Sequence, residues 1–238
     1  MRGISGMKQA VLFDLGNTLV HYFERSEFPA ILEQAILAVR RYLHEKELLT
    51  VPEEAMWRRV REEDHEETDY RVRPLEERLG RIFGIDRAQR PEVAAAMGRR
   101  FTEPIFVRGR CYEDALPVLR KLREDGIRTA IVSNTPWGSP GSLWREELAR
   151  LDLSPWVDAA VFCTDVGWRK PARPIFERAM ELLAAGLEDC LFVGDDPRWD
   201  LAGSRAVGMD VILINRQGGL ASAEEGSLRT LYGLREKL

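Results

Sequence analysis

The chain of 238 residues contains few of the residues that usually build metal–thiolate sites or disulfide frameworks. Its three cysteines, Cys111, Cys163 and Cys190, are odd in number, far apart in sequence and without a CxxC pair. The three histidines also lack the spacing of metal ligands. We therefore expect neither disulfides nor a zinc site, and we predict that the cysteines pack as small hydrophobic residues.

Long apolar runs and an excess of basic charge are also missing. No apolar segment approaches the roughly 20 residues needed to span a bilayer, and the segment MRGISGMKQA lacks the apolar core of a secretory signal. The net charge is −4, with 31% charged residues, which provides no basic surface for nucleic acid. The sequence therefore predicts a cytoplasmic protein with no membrane or nucleic-acid partner. It does not indicate an oligomeric state.

Short apolar runs do alternate with helical segments along much of the chain, and 45% of the residues are hydrophobic. Strands are predicted over residues 9–15, 127–132, 158–164, 190–194 and 211–215. Helices are predicted over residues 113–126, 143–151, 174–186 and 200–208, and leucines at helical spacing continue to residue 238. Strands that alternate with helices of this length favour a parallel sheet covered on both faces. We therefore predict an α/β fold with a doubly wound parallel sheet.

The segment from about Ser26 to Met97 differs from the rest of the chain. It is strongly charged, with apolar residues at helical spacing. Breaks near residues 50–52, 73–74, 84 and 90–91 predict four helices. The acidic run REEDHEETD at 61–69 is interpreted as a solvated helix face. Because no flexible linker flanks the segment, we predict an inserted α-helical cap at residues 21–107 and an α/β core formed by residues 1–20 and 108–238.

Polar residues follow several predicted strands, where parallel topology brings them to one edge of the sheet. In open parallel sheets ligands bind beyond the carboxyl ends of the strands. An aspartate there, such as Asp14, can attack phosphorus and form an aspartyl-phosphate. Carboxylate oxygens of Asp195, with Asp196 or Asp200, are of the hard type that suits Mg²⁺. Lys170 adds a point charge for phosphate, and the hydroxyl of Ser133 adds a hydrogen bond.

Four segments of the sequence resemble the four motifs of the haloacid dehalogenase-like hydrolases. They are VLFDLGNTLV, IVSN, GWRKPARPIF and VGDDPRWDLAGSRAVGM, in that order, and the helical insertion after the first resembles the family's cap. The resemblance implies a magnesium-dependent phosphatase that acts on a small phosphorylated metabolite through the nucleophile Asp14. The other implied roles are metal ligation by Asp14, Asp195 and the backbone carbonyl of Gly16, phosphoryl binding by Ser133, Asn134 and Lys170, and support of Lys170 or the metal by Asp200 or Asp196.

The chain departs from the family pattern at Gly16. Phosphatases of the family usually carry a second aspartate two residues after the nucleophile, which protonates the leaving oxygen and then activates water. Glycine still offers a backbone carbonyl to a metal, but the proton transfer, typically worth about 10²–10⁴ in rate, is lost. His21 and Glu24 lie close to Asp14 in sequence and are candidates to replace it.

Two other functions are compatible with Gly16. Hydrolytic dehalogenases of the family also lack the second aspartate, and their nucleophile attacks carbon without a metal. They usually replace the acids of the fourth motif, whereas GDDPRWD keeps them, and clustered carboxylates without a cation repel one another. The chain could also be a phosphate-binding or partner-binding protein without turnover, but the intact Asp14, Lys170 and Asp195 argue against that reading.

Substrate choice is expected to depend on the predicted cap. One or two of its arginines are candidates to reach a second anionic group on the substrate; they are Arg58, Arg59, Arg71, Arg73, Arg78 and Arg81. Three tryptophans are candidates to line a pocket, namely Trp57, Trp137 and Trp168. Trp168 is the best placed in sequence, two residues before Lys170.

Overall fold

A five-stranded parallel sheet lies at the centre of the computed structural model, which describes residues 8–64, 68–216 and 227–238. The strands are β1 (Ala10–Phe13), β2 (Val20–His21), β3 (Arg110–Cys111), β4 (Arg128–Ser133), β5 (Ala159–Phe162), β6 (Cys190–Gly194) and β7 (Asp210–Leu213). The central sheet has the order β5-β4-β1-β6-β7, and every neighbouring pair in it is parallel. The short strands β2 and β3 form a separate antiparallel pair.

Helices follow most strands of the sheet and also fill the segment between β2 and β3. They are α1 (Phe28–Glu45), α2 (Glu53–Glu63), α3 (Leu75–Phe83), α4 (Pro91–Phe106), α5 (Ala115–Glu124), α6 (Gly141–Arg150), α7 (Cys163–Val166), α8 (Arg173–Leu183) and α9 (Ala202–Val207). Within the described ranges, no helix is both long enough and apolar enough to cross a bilayer. The cysteines Cys111, Cys163 and Cys190 are free, and the last two are buried, as predicted.

The central strand β1 is buried on both faces. Its side chains alternate, so that Val11 and Phe13 belong to one hydrophobic core together with Leu119 of α5. Ala10 and Leu12 belong to a second core, which contains residues of α8 such as Phe176. A strand whose two faces are both covered reads as a continuous apolar run, which explains why this one was recognisable. The predicted doubly wound α/β fold is confirmed.

Helices α1 to α4 form the segment inserted between β2 and β3. They coincide with the four helices predicted from the sequence breaks, with α1 and α3 both packed against α4 and α2 packed against α3. At the base of the segment, Val20 pairs with Cys111 and His21 pairs with Arg110. The sequence predicts a solvated helix face for the acidic run at 61–69. Its residues 61–63 belong to α2, Asp64 follows that helix, and residues 65–67 lie outside the described ranges.

A turn after β4 connects the sheet to this helical segment. Trp137 adopts a left-handed backbone conformation (φ 53°), and its ring stacks on Phe101 of α4 with 5.7 Å between centroids. Gly138 also has a positive φ of 69°, and a side chain there would overlap the carbonyl oxygen of Arg73. Only glycine tolerates both conditions at low cost. The turn therefore packs against α4 through Trp137 and against the residues that precede α3 through Gly138.

One predicted strand ends earlier in the structure, and one predicted helix begins earlier. The strand predicted over 158–164 stops at Phe162, because the carboxylate of Asp165 accepts the Phe162 N–H at 2.9 Å and starts α7. The helix predicted over 200–208 begins earlier, with a π-helical turn at Pro197–Leu201 that leads into α9. Leu231 and Leu234 are buried in a 3₁₀ helix, Leu231–Lys237, and Leu238 follows it.

Candidate active site

Three neighbouring strands bring polar groups to the carboxyl edge of the sheet. Asp14 directly follows β1, and its backbone N–H donates to the carbonyl of Val193 in β6 at 2.9 Å. Strand β4 ends on Ser133, and β6 ends on Gly194, one residue before Asp195. Because β1 lies between β4 and β6, these residues meet at the edge where the strand pattern predicts a site.

Lys170 lies at the centre of this group and is 2% exposed. Its ammonium donates hydrogen bonds to Asp14 Oδ1 at 2.5 Å and to Asp200 Oδ1 at 2.7 Å. The hydroxyl of Ser133 donates to the same Asp14 oxygen at 3.2 Å. Charge-assisted hydrogen bonds of this kind are short and strong. They bring together Asp14, Ser133 and Lys170, which are more than 30 residues apart in sequence.

Asn134 positions the backbone of Lys170. Its Oδ1 accepts the backbone N–H of Lys170 at 2.8 Å, and its Nδ2 donates to the carbonyl of Lys170 at 3.2 Å. Both ends of the amide are therefore engaged with the loop that carries the lysine. In this structure the side chain of Asn134 connects the loop after β4 to the loop before α8.

Asp200 also supports Lys170 and the loop after β6. One carboxylate oxygen accepts the lysine ammonium, and the other accepts the backbone N–H groups of Asp195 at 3.0 Å and Asp196 at 3.1 Å. Asp196 points elsewhere: its Oδ1 accepts the Arg198 N–H at 2.8 Å, and its Oδ2 lies 3.4 Å from Nη2 of Arg25. Asp200 therefore contacts Lys170, whereas Asp196 caps the π-helical turn.

The site carries more negative charge than Lys170 can neutralise. Carboxylate oxygens of Asp14, Asp195 and Asp200 lie within 4.8 Å of one another. Burial raises the pKa of Asp14 to about 6, against the opposing effect of Lys170. Burial and the neighbouring carboxylates of Asp14 and Asp200 raise the pKa of Asp195 to about 8. Burial alone would lower the pKa of Lys170, but the charges of Asp14 and Asp200 outweigh it and raise that pKa.

Clustered carboxylates with raised pKa values indicate a place for additional positive charge. The donor atoms are hard oxygens, which divalent cations such as Mg²⁺ prefer over nitrogen or sulfur. Asp195 receives no hydrogen bond on its side chain from any residue in the described part of the chain, so its carboxylate is available as a ligand. The residues present therefore fit a divalent metal ion.

Two adjoining cavities open at this edge. The inner cavity has a volume of about 230 Å³ and is lined by Asp14, Gly16, Ser133, Lys170, Asp195, Asp200 and their neighbours. The outer cavity, of about 730 Å³, extends to the helical segment and reaches α1 and α3. The two share part of their lining: Asn17, Phe23, Asn134, Pro136, Asp195, Asp196 and Trp199. Together they form a continuous cleft of the size that accommodates a small metabolite.

Gly16 lines the inner cavity beside Asp14. A Cβ atom built on it would find no non-adjacent neighbour closer than Cδ2 of Tyr22, at 4.0 Å, and its φ lies outside the left-handed region. Neither space nor backbone conformation therefore requires glycine here. Of the two replacements considered from the sequence, Glu24 lines the outer cavity. His21 faces Tyr112 and Glu24 and lines neither cavity.

Several lining residues were not singled out from the sequence. Among them are Asn17, Tyr22, Phe23, Arg25, Trp144, Arg169, Arg198 and Trp199. Arg169 and Trp199 lie inside the third and fourth motif segments, so adjacency to Lys170 and Asp200 was an available signal. Of the tryptophans considered, Trp137 lines the outer cavity. Trp57 packs against the hydrophobic core, and Trp168 lies under Arg71 instead of lining either cavity.

Gly194 is required by the packing of Asp200. A Cβ at Gly194 would lie 2.7 Å from the Cβ of Asp200 and would overlap its carboxylate. We expect Gly194→Ala to lower the free energy of unfolding by about 1–3 kcal/mol, the usual effect of overpacking, as measured by urea denaturation. Gly16→Ala is the matched control and should change it by less than about 0.5 kcal/mol. Equal losses in the two variants would contradict this account.

Comparison with known proteins agrees with the geometry. The family model described as haloacid dehalogenase-like hydrolase matches residues 8–208. A ribulose-1,5-bisphosphate 5-phosphatase from Halopiger xanaduensis is 30% identical over 217 residues, covering 88% of this chain and 85% of that protein. The crystal structure of a HAD phosphatase from Thermococcus onnurineus has a TM-score of 0.64 and 26% identity, with 97% of both chains covered.

A 2-haloacid dehalogenase structure from Pseudomonas syringae pv. Tomato also matches, with a TM-score of 0.71, 24% identity and 97% of both chains covered. At that identity the likeness shows a shared fold alone. The family model spans most of the chain, including every strand of the sheet up to β6. The protein is therefore an enzyme that belongs to the haloacid dehalogenase-like hydrolases.

Proposed function

We propose that this hydrolase is a phosphatase that acts on small phosphorylated metabolites, with Asp14 as its covalent nucleophile. The observation that carries the proposal is the buried contact of Lys170 with both Asp14 and Asp200. The contact supports the proposal because a buried ammonium beside a carboxylate at the end of a central strand can bind the phosphate that the carboxylate attacks. The similarity to a bisphosphate phosphatase and to a HAD phosphatase supports the same reaction class.

In the proposed reaction a carboxylate oxygen of Asp14 attacks phosphorus, and the bond from phosphorus to the leaving oxygen breaks. The leaving oxygen takes a proton from solvent as it departs as an alcohol, and the enzyme carries an aspartyl-phosphate. Water then attacks phosphorus, which releases inorganic phosphate and restores the carboxylate. Lys170 and Ser133, which already contact Asp14 Oδ1, hold the phosphoryl oxygens during both displacements.

The proposed metal ligands are the carboxylates of Asp14 and Asp195 and the backbone carbonyl of Gly16. Bound Mg²⁺ would neutralise charge on the phosphoryl oxygens. Asp200 is assigned to support, because both of its oxygens already accept hydrogen bonds from Lys170 and from two backbone N–H groups. Asp196 is assigned to the entrance of the cleft, where it pairs with Arg25.

The helical segment is proposed to act as a cap over the cleft, with residues 21–107 forming this unit and residues 1–20 and 108–238 the catalytic core. Residues of both parts line the outer cavity, among them Arg78 of α3 and Trp199 of the fourth motif. A cover of this kind excludes water from the reacting groups. It also brings the residues that contact the rest of the substrate.

Metal dependence provides the direct test. We expect the protein to release phosphate from p-nitrophenyl phosphate in the presence of Mg²⁺, and excess EDTA to suppress release at least about 100-fold, because the carboxylate cluster then repels the anionic substrate. Restoring Mg²⁺ should restore activity. Circular dichroism with and without EDTA is the control for loss of fold.

Two outcomes would assign the site differently. Halide release from a 2-haloacid that persists in EDTA, without phosphatase activity, would identify a hydrolytic dehalogenase. Binding of inorganic phosphate without turnover of any phosphate ester would identify a non-catalytic binding protein. Neither assignment explains why Asp195 and Asp200 are retained beside Asp14 and Lys170.

A further inference from the structure

The outer cavity carries an excess of positive charge that the proposed reaction at Asp14 does not use. Within the described residues its lining includes six arginines: Arg25, Arg71, Arg73, Arg78, Arg169 and Arg198. Its lining carboxylates number four: Glu24, Asp64, Asp195 and Asp196. Because Asp195 belongs to the inner site, the part of the cleft beyond the reacting groups is cationic. A cationic cleft attracts anionic ligands.

Arg78 is the most buried of these arginines, with only 7% of its surface exposed. Its Nη1 donates to the backbone carbonyl of Glu63 at 3.2 Å, and its Nε is buried with no hydrogen-bond partner. No carboxylate within the described ranges forms an ion pair with it. Burial lowers its pKa, the charge of Glu63 opposes this effect, and the nearby charge of Arg169 lowers the pKa further. A buried guanidinium without an anion in direct contact is costly, so an anionic ligand would stabilise it.

Other arginines of the cavity already have partners. Arg25 and Arg198 lie near Asp196, at 3.4 and 3.8 Å, and Arg73 forms a salt bridge with Asp69 at 3.1 Å. Arg71 lies over the ring of Trp168, 4.2 Å from its centroid, at the rim of the cleft. Arg169 lies over the ring of Trp199, 5.3 Å from its centroid, and is less buried than Arg78. Among the arginines that line the cavity in the described part of the chain, Arg78 is therefore the one that is buried and still has hydrogen-bonding capacity.

Arg78 packs against the turn that follows β4. Its guanidinium lies over the ring of Trp137, with 5.2 Å to the centroid, a contact that orients the group and supports its charge. Trp137 follows Ser133 and Asn134 by only a few residues in the turn after β4. The same turn therefore carries the phosphoryl-binding hydroxyl at one end and the platform for Arg78 at the other.

We propose that Arg78 binds a second anionic group of the substrate, so that the enzyme prefers phosphate esters with a carboxylate or a further phosphate distant from the reacting phosphoryl group. The inference rests on the proposed phosphatase function. The reacting group would occupy the inner cavity, and the rest of the molecule would extend through the shared lining into the outer one. The planar guanidinium matches carboxylate and phosphate oxygens in bidentate geometry.

A matched substrate series tests the proposal and distinguishes recognition of a carboxylate from recognition of a second phosphate. The three compounds are monophosphates of a three-carbon chain that ends in a hydroxyl, a carboxylate or a second phosphate. We expect kcat/KM to be about tenfold or more higher for whichever anionic terminus Arg78 accepts, because charge-assisted hydrogen bonds are the strong ones. Equal kcat/KM for all three compounds would overturn the proposal.

Substitution of Arg78 tests whether this residue causes the preference for substrates with a second anionic group. We expect Arg78→Gln to abolish the preference by raising KM for the substrates with a second anion, and to raise it less for the hydroxyl-terminated monophosphate and for p-nitrophenyl phosphate, which carry no second anion. Arg78→Lys should retain part of the preference, because it keeps the charge and loses the bidentate geometry. Arg58→Gln, on the exposed face of α2, is the matched control. A preference that survives Arg78→Gln would overturn the proposal.

Two further outcomes are distinguishable. Thermal unfolding is measured first, and if Arg78→Gln does not fold, the KM values of Arg78→Lys decide. A uniform loss with all substrates, including p-nitrophenyl phosphate, in a variant with an unchanged melting temperature would show that Arg78 only maintains the structure. No turnover of any compound by the unmodified protein would contradict the phosphatase function and this inference together.

Discussion

Asp14→Asn is expected to lower the rate of phosphate release from p-nitrophenyl phosphate by about 10³-fold or more. Losses of this scale follow the replacement of a catalytic nucleophile. The amide keeps the shape of the carboxylate but lacks its negative charge and nucleophilicity. Lys170 keeps one carboxylate partner, because Asp200 accepts its ammonium independently at 2.7 Å. We therefore expect the variant to fold and to bind phosphate while turnover is lost. Initial rates and a urea denaturation curve measure both properties.

The proposed covalent half-reaction gives this prediction a second readout. Rapid acid quench followed by peptide mass spectrometry should find one phosphoryl group on the peptide that contains Asp14 in the unmodified protein, and none in Asp14→Asn. Asp210→Asn is the matched control, because Asp210 lies at the opposite edge of the sheet, where its carboxylate pairs with Lys8 at 2.6 Å. It should keep full turnover. Comparable turnover in Asp14→Asn would assign the nucleophile to another residue.

The parts of the site that sequence predicts well are those fixed by local pattern. Buried strands such as β1 and β6 read as short apolar runs, so that the polar residue after each one is visible. Parallel topology then brings Asp14, Ser133 and Asp195 to one edge. The loop that holds Lys170 follows from the motif resemblance. None of these expectations requires knowledge of side-chain orientation.

Side-chain orientation explains what the sequence leaves open. Asp196 and Asp200 occur in the same short segment, and only the π-helical turn between them directs one to Arg25 and the other to Lys170. The four helices of the inserted segment follow from periodicity, but the pairing of β2 with β3 involves two residues on each strand, too few for a pattern. The burial of Arg78 is equally invisible, because it depends on contacts between distant segments.

Gly16 is the position where a single substitution is expected to increase activity. Its backbone is unstrained, and the space beyond its Cα is open as far as the ring of Tyr22. An aspartate there can point into the inner cavity that contains Asp14. It would protonate the leaving oxygen, as the aspartate at this position does in phosphatases of the family. General acid catalysis of this kind typically contributes about 10²–10⁴ in rate.

We expect Gly16→Asp to raise kcat for an alkyl phosphate by about tenfold or more, and to raise it less for p-nitrophenyl phosphate. An alkoxide needs a proton as it leaves, whereas p-nitrophenolate departs readily without one, so the gain should depend on the leaving group. Gly16→Asn is the matched control, because it fills the same space without an acidic proton. An equal gain in both variants would show a packing effect, and no gain in either would show that another group already moves the proton. The slope of log kcat against leaving-group pKa, compared between the unmodified protein and Gly16→Asp, therefore measures how much of the present reaction proceeds without acid assistance.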